Sequence, residues 1–329
     1  MPFRIVSGNI TDMDVDAVVN AANTELAMGG GVCGAIFFRA GAKELEKACN
    51  RIGHCAVGQA VMTEGFGLKA RKIIHAVGPI WQGGNRGEEE NLSSAYESAM
   101  RLATEKGLES IAFPLISAGI YGYPKEEAMR VAREAIGSFL LNHDLMVYLV
   151  LFDDSPVSLE NRTLKEIRSY LDLNLARRSM QQKSLVSDPE RRPLIHEEIR
   201  AESAMESLSL DQFMEKLEAS FSRRLLWLID EKGYTDVTAY RKANIDRKLF
   251  SKIRGDEYYR PKKSTALAFV IALELNLDEA LDLLGRAGYT LSPASRSDVI
   301  IEYFIMKQRF DIHEINETLY AFNEQPLGF

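Results

Sequence analysis

Two periods of apolar and polar positions alternate over roughly the first 170 residues of the chain. Short, mostly apolar runs predict strands at Phe3–Val6, Ala17–Asn20, Ala60–Glu64, Lys72–Val77, Ser110–Ile116 and Met146–Phe152. Stretches with an apolar stripe at helical spacing separate them, at Val32–Arg51, Glu88–Lys106, Pro124–Asn142 and Pro156–Asp172. The runs Ile111–Ile116 and Val147–Phe152 are almost continuously apolar, which suits strands covered by helices on both faces. That alternation predicts an α/β/α layered unit, with ligands expected at the C-terminal ends of its strands.

From about Asn174 to Ser209 the pattern dissolves into Arg177-Arg178, Gln181-Gln182, Asp188-Pro189 and Arg191-Arg192-Pro193. This reads as a linker, with room for one short helix at His196–Ser207. Beyond it every apolar pattern is helical: Leu210–Lys232, Asp236–Ala243, Asp246–Arg254, Ser264–Glu274, Leu277–Ala287, Ser295–Lys307 and Ile312–Phe322. The expected organisation is therefore an α/β domain over 1–172, a linker over 173–209 and an all-helical domain over 210–329, without internal repeats.

At 329 residues the chain is long enough for two cores, and 46% hydrophobic with 26% charged residues is an ordinary globular balance. A net charge of -7 opposes indiscriminate nucleic-acid or membrane binding, while leaving room for a local basic patch. No apolar run has the length of a membrane span, and the first residues lack a secretory pattern. The three cysteines, Cys33, Cys49 and Cys55, are odd in number and lack framework spacing, so reduced thiols and a cytoplasmic location are expected.

Candidate chemistry concentrates in two loops. Met28-Gly29-Gly30-Gly31-Val32-Cys33 precedes a helix, so bare amides and the positive helix end can meet an anion there. Ser117-Ala118-Gly119-Ile120-Tyr121-Gly122-Tyr123-Pro124 follows a strand and precedes another helix. Two amide-rich loops at strand ends point to a ligand with more than one phosphate.

In order along the chain stand Gly8-Asn9-Ile10-Thr11, Val19-Asn20-Ala21-Ala22-Asn23, the triple glycine, Ile74-His75-Ala76-Val77-Gly78-Pro79 and the Ser117–Pro124 loop. Together they resemble the macro domain, an ADP-ribose-binding α/β/α module with a mixed central sheet, over nearly all of residues 1–172. The resemblance implies that Gly30, Gly31, Val32 and Cys33 line the phosphate side nearer the distal ribose. It implies that Ser117, Ala118, Gly119, Ile120 and Tyr121 close over the diphosphate, and that Asn23 reaches the distal ribose as the catalytic position. Asn9, with the Ile10 amide, is expected at the adenine edge, its side-chain oxygen accepting from the adenine amine where the family usually carries aspartate. Phe152 can stack on adenine or serve as a core aromatic.

MacroD-type hydrolases usually carry aspartate at the position of Cys33 and histidine at that of Phe37. Their replacement removes the obvious general base, although a substrate phosphate oxygen can still orient the attacking water. Two readings stay open: hydrolysis of mono-ADP-ribosyl protein adducts or O-acetyl-ADP-ribose, and a non-catalytic sensor or reader. Asn20 and His75 are expected to be structural, and Cys33 to be a small residue fitting a tight loop. Cys49, His54 and Cys55 are too few for a closed metal site, so neither metal nor cofactor is expected.

Phe221–Leu291 resembles helix-turn-helix domains of the lambda-repressor type. Asp246 fits an N-cap; Arg247, Lys248, Lys252 and Arg254 would point outward, and Leu249, Phe250 and Ile253 inward. Arg260, Lys262 and Lys263 extend the positive surface. DNA or a protein is the alternative partner of this surface, and Val299–Phe322 has apolar residues enough to cap the cluster or pair with a second copy.

Overall fold

The computed structural model describes residues 3–152, 166–172 and 220–328. Six strands, β1 (Phe3–Ser7), β2 (Ala17–Ala22), β3 (Ala60–Glu64), β4 (Lys72–Val77), β5 (Ser110–Pro114) and β6 (Met146–Leu151), form one sheet in the order β1-β6-β5-β2-β4-β3. All neighbours are parallel except β3 and β4, so the sheet is mixed. Both faces are buried. Ala17, Val19, Ile74, Ile111, Phe113, Val147 and Leu149 belong to one core, and Val18, Ala22, Ile73, Val77, Ala112 and Val150 to the other. Successive side chains of a strand point to opposite faces, so each strand feeds both layers.

Helices α1 (Gly31–Ala40) and α2 (Ala42–Ile52) cover one face, and α3 (Glu88–Glu105) and α4 (Lys125–Leu140) the other. The single helix expected at Val32–Arg51 is thus two. The break is Gly41, whose φ of 100° lies where a side chain is strongly disfavoured; its amide closes α1 on the Phe37 carbonyl. The strand expected at Ser110–Ile116 stops at Pro114, because the Ile116 amide turns to the Tyr96 hydroxyl at 3.0 Å as the chain leaves the sheet.

The helical half comprises α5 (166–172), α6 (Phe221–Glu231), α7 (Asp236–Lys242), α8 (Arg247–Gly255), α9 (Lys263–Ala272), α10 (Leu277–Arg286), α11 (Arg296–Met306) and α12 (Ile312–Ala321). Ser220, Thr235, Asp246, Asn276, Ser295 and Asp311 cap α6, α7, α8, α10, α11 and α12 by accepting first-turn amides. Of the helix expected at Leu210–Lys232, the described part is α6, capped at Ser220, and the residues before Ser220 lie outside the described ones. The expected linker, the helix at His196–Ser207 and the first part of Pro156–Asp172 lie outside the described residues.

Helix α5, assigned by spacing to the α/β unit, packs on the other one. Ile167 is buried in the helical core, and the Tyr303 hydroxyl donates to Glu166 at 2.8 Å. Residues of Val299–Phe322 cap this same core.

The helical half docks on β1, an edge strand. The Phe3 amide donates to Asn244 Oδ1 at 2.7 Å, and Asn244 Nδ2 returns a bond to the Phe3 carbonyl at 3.0 Å. Arg241 donates to the Leu141 carbonyl at 2.8 Å and pairs with Asp144 at 3.2 Å. Arg133 on α4 faces Glu317 on α12 at 3.4 Å.

Candidate functional site

The chain leaving β2 is clamped by Asn23. Its side-chain oxygen accepts from the Ala27 amide and its nitrogen donates to the Ala27 carbonyl, both at 2.9 Å. The next residues enter α1 through Gly30, which provides no side-chain cap. A helix start leaves its first amides without intrahelical partners, and those of Gly30, Gly31, Val32 and Cys33 find no acceptor among the described residues. No acidic residue occupies this first turn to compensate the positive helix end. Cys33 Sγ points back into the loop, accepting from the Gly29 amide at 3.3 Å. Phe37, at the position where the family's hydrolases carry histidine, is fully buried in the core between sheet and α1.

The second loop begins where β5 ends. Ser117 holds a left-handed φ of 65°, its carbonyl accepts from the Tyr123 amide at 3.0 Å, and Gly119 accepts from Gly122 at 2.9 Å. The Trp81 amide fixes the far side through the Tyr121 carbonyl at 2.9 Å. Amides of Ala118, Gly119, Ile120 and Tyr121 are left without acceptors among the described residues. The Ser117 hydroxyl is buried and has no partner either. The loops meet over the cleft: a Cβ on Gly30 would stand 3.0 Å from Ile120 Cδ1.

Between them lies a cavity of about 350 Å³. It brings together Asn23, Gly30, Gly31, Val32, Cys33, Ser117, Gly119, Ile120 and Tyr121 from the expected set. Its lining contains no carboxylate, imidazole, ammonium or guanidinium group. Burial, with Glu25 and Cys33 nearby, raises the Tyr121 pKa, so that hydroxyl stays protonated at neutral pH. Gly29 of the first loop, Gly78, Ala21, Ala22 and Pro114–Ile116 line the cavity as well, and of these the alanines and Pro114–Ile116 carry no chemical signature in the sequence. For Gly78 the readable signal was a glycine placed directly after an apolar strand. A Cβ there would lie 2.3 Å from Ser117 Oγ, so only hydrogen fits between the β4 end and the second loop.

Asn9, Ile10, Ala118 and Phe152 do not line this cavity. Ala118 packs toward the core under α3 and α4. Asn9 and Phe152 sit just past the ends of β1 and β6, which are neighbours in the sheet. Phe152 is 76% exposed, so it is a free aromatic face and not a core residue. Asn9 differs from expectation in one respect. Its oxygen already accepts from the Thr11 amide at 3.0 Å and the Thr11 hydroxyl at 2.9 Å, which leaves Nδ2 as the free group. A donor there matches a purine ring nitrogen better than an exocyclic amine.

The remaining candidates are local. Asn20 Nδ2 faces His75 Nδ1 at 3.0 Å and Thr63 Oγ1 faces Nε2 at 2.9 Å, which makes Nε2 the protonated ring nitrogen. Burial pushes the His75 pKa down to about 4, as befits a neutral core imidazole. Burial, with Cys33 nearby, pushes the Cys49 thiol up to about 11. No group of three or more metal-ligating side chains occurs among the described residues.

On α8, Arg247, Lys248, Lys252 and Arg254 are exposed, while Phe250 and Ile253 are buried and Leu249 is half-buried. Arg254 pairs with Asp236 on α7. No described helix is long and apolar enough to cross a membrane.

The cavity is bounded by a helix start and glycine-rich loops and by no charged side chain, an arrangement of α/β proteins that hold phosphorylated ligands by backbone. Residues 19–132 match the model of the macro domain family. A macro domain-containing protein of Mesorhizobium japonicum is 47% identical over 169 residues, covering 50% of this chain and 95% of that protein. The O-acetyl-ADP-ribose deacetylase of an Enterobacter species is 46% identical over 168 residues, covering 49% of this chain and 93% of that protein. Among solved structures, the Oceanobacillus iheyensis macrodomain with ADP is 42% identical, covers 50% of this chain and 90% of that one, and has a TM-score of 0.46. Through its α/β half the chain belongs to the macro domain family.

Proposed function

We propose that the α/β half binds ADP-ribose and hydrolyses mono-ADP-ribosyl protein adducts or O-acetyl-ADP-ribose. One observation carries this reading: two rows of unpartnered amides, Gly30–Cys33 and Gly119–Tyr121, border one cavity and meet through Gly30 and Ile120. Two phosphates satisfy two such rows, and no cationic side chain is needed. Strand order then orients the ligand. Adenine lies at Asn9 and Phe152 beyond β1 and β6, the diphosphate under the loop after β5, and the distal ribose at Asn23 beyond β2. Three strand spacings separate its two ends, about 14 Å.

With no carboxylate in the cavity, the base is the substrate itself. A diphosphate oxygen, held by the amides, orients a water molecule beside Asn23. In deacetylation that water adds to the acetyl carbonyl carbon, the bond to the ribose oxygen breaks, and the released oxygen takes the proton that the water loses. The products are acetate and ADP-ribose. Calorimetry with ADP-ribose followed by turnover of O-acetyl-ADP-ribose on the same sample tests both parts. Release no faster than that of the Asn23→Ala variant would leave binding alone.

A sensor is the second reading, favoured by Cys33, whose sulfur is engaged by Gly29 and stands where a catalytic carboxylate is expected. In it the division is an ADP-ribose unit and a helical unit joined by 173–209, with α5 packed on the latter. α7 and α8 serve as a helix-turn-helix, and Arg247, Lys248, Lys252 and Arg254 meet DNA phosphates or an acidic protein. A gel shift indifferent to saturating ADP-ribose would eliminate the coupling.

A further inference from the structure

We propose that the cleft between the two halves is a second ligand site, one that takes a phosphoryl group and bridges Arg133 of α4 to Arg241 and His313 of the helical half. A cavity of about 350 Å³ lies there, lined from the α/β side by Arg133, Glu134 and Gly137 and from the helical side by Arg241, Asp311 and His313, among others. Cavities that hold small organic ligands start at about 300 Å³. Nothing in this site depends on the ADP-ribose reading.

Three buried nitrogens on its lining residues have no hydrogen-bond partner: Arg133 Nε, Arg241 Nε and His313 Nδ1. Each guanidinium is otherwise engaged. Arg133 Nη1 faces Glu317 at 3.4 Å, and the Arg241 Nη groups hold the Leu141 carbonyl and Asp144. The Cδ2–Nε2 edge of His313 lies against Gly137, where a Cβ would stand 3.1 Å from Cδ2. A glycine on α4 thus admits the ring and leaves its Nδ1 edge unfilled. A buried, unpaired polar group costs about 1–3 kcal/mol, and two Nε–H donors and a ring nitrogen lie unpaired on residues lining one cavity, where an entering oxyanion would draw them out as partners.

The charge arrangement favours an anion. Of the carboxylates on the lining, Glu134 pairs with Arg130 at 3.1 Å, and Asp311 caps α12 by accepting from the His313 and Glu314 amides. Glu134 is thereby drawn away from the donors, whereas Asp311 stays near His313 and favours its charged form. Lys242 is taken by Glu274 at 2.7 Å and by the Tyr234 hydroxyl at 3.0 Å. Glu317 remains opposite Arg133, and burial holds its carboxyl up, to about 7, with Glu314 and Asp311 adding to the rise and Arg133 opposing it. Near neutrality it gives up part of its charge, leaving Arg133 incompletely compensated. Burial keeps His313 neutral in the open cavity, and a bound oxyanion favours its charged form. A phosphoryl group offers enough acceptor oxygens for donors arriving from both halves.

The test follows arginine Nε–Hε signals by NMR in the full ¹⁵N-labelled chain during titration with inorganic phosphate. The nucleotide cavity contains no arginine, so phosphate bound there leaves the Arg133 and Arg241 signals unmoved, and these two report the interdomain cleft. The expected result is saturable movement of two signals, assigned with Arg133→Lys and Arg241→Lys, which keep the charge and delete the Nε–H. Each substitution is expected to weaken phosphate binding about tenfold. Glycerol 3-phosphate forms the second arm: tighter binding than inorganic phosphate identifies a phosphate monoester as the ligand, and equal or weaker binding identifies the free ion. Unmoved signals, or movement equalled by chloride at the same ionic strength, overturn the proposal. Through-bond assignment of the arginine side chains in the wild-type chain identifies the same two signals, so the titration decides it even if neither lysine variant folds.

Discussion

Gly78→Ala probes how the two amide loops are held in register. The new Cβ would lie 2.3 Å from Ser117 Oγ and 2.5 Å from Ile116 Cγ2. Ser117 can turn its hydroxyl aside, but Ile116 is 1% exposed and packed in the core beneath α3 and α4 on every side except the cavity. The second loop must therefore shift as a piece of backbone. Overpacking of this kind costs about 1–3 kcal/mol. The displaced loop carries the amides of Ala118–Tyr121, so the loss is expected largely in ligand affinity, roughly 5- to 150-fold for ADP-ribose. Calorimetry measures it, with denaturant unfolding as the control for stability. AMP, which fills less of the diphosphate cradle, is expected to lose less. Adding Ser117→Gly, which removes the nearer obstacle at a positive φ, should recover part of the affinity. ADP-ribose affinity within twofold of wild type, with unchanged stability, would refute this account of the loop.

Asn23→Ala deletes both bonds to Ala27, each worth about 0.5–1.5 kcal/mol, and frees the entry to α1. ADP-ribose affinity is expected to fall about tenfold and turnover to fall with it, by calorimetry and product release. Asn244→Gly keeps the left-handed φ of 55° but strands the Phe3 amide and carbonyl, so urea unfolding should show a loss of about 2–6 kcal/mol. The pH dependence of stability contains two opposed contributions. His75, depressed from 6.5 to about 4, leaves stability intact above pH 6.5 and erodes it by about 3 kcal/mol as pH falls toward 4. Glu317, raised from 4.5 to about 7, costs nothing below pH 4.5 and about 3 kcal/mol once pH has risen through 7. Urea unfolding across that range should show the acid loss shrink in His75→Gln and the alkaline loss shrink in Glu317→Gln; unchanged slopes would refute the assignments.

Periodicity revealed the α/β half because its strands are apolar on both faces and its helices carry single stripes. It failed at Gly41, since a lone glycine between Ala40 and Ala42 looks like a tolerated helix residue until its φ of 100° is known. It failed also at α5. Ile167, Tyr170 and Leu171 form an apolar stripe that fits either core, and sequence spacing contains no record of which core it meets. The amide loops were legible through glycine content and position, whereas the employment of individual side chains was not. Asn9 spends its oxygen on Thr11, two residues away, a local competition invisible in the residue type. The docking contacts are polar residues, Arg241 and Asn244 at the end of α7 and Arg133 and Glu317 within α4 and α12, and polarity alone does not separate a solvated arginine from Arg241.

Strand β1 ties these features together. An edge strand presents unpaired amides and carbonyls that can recruit another chain, and folds usually cover or break such edges. Here the covering element is the helical half, with Asn244 acting as a substitute peptide group: one donor and one acceptor matched to the two groups of Phe3. The other end of the strand runs through Gly8 into Asn9, on the adenine side of the proposed ligand, about 20 Å from Phe3 at strand rise. Docking and nucleotide binding therefore act on opposite ends of one rigid element that is paired along its length to β6. Coupling through it must be reciprocal: whatever factor ADP-ribose adds to the docking equilibrium, docking adds to ADP-ribose affinity. Detaching the helical half by Asn244→Gly should then change ADP-ribose affinity only so far as β1 transmits that loss, which separates a covalently tethered passenger from a coupled sensor.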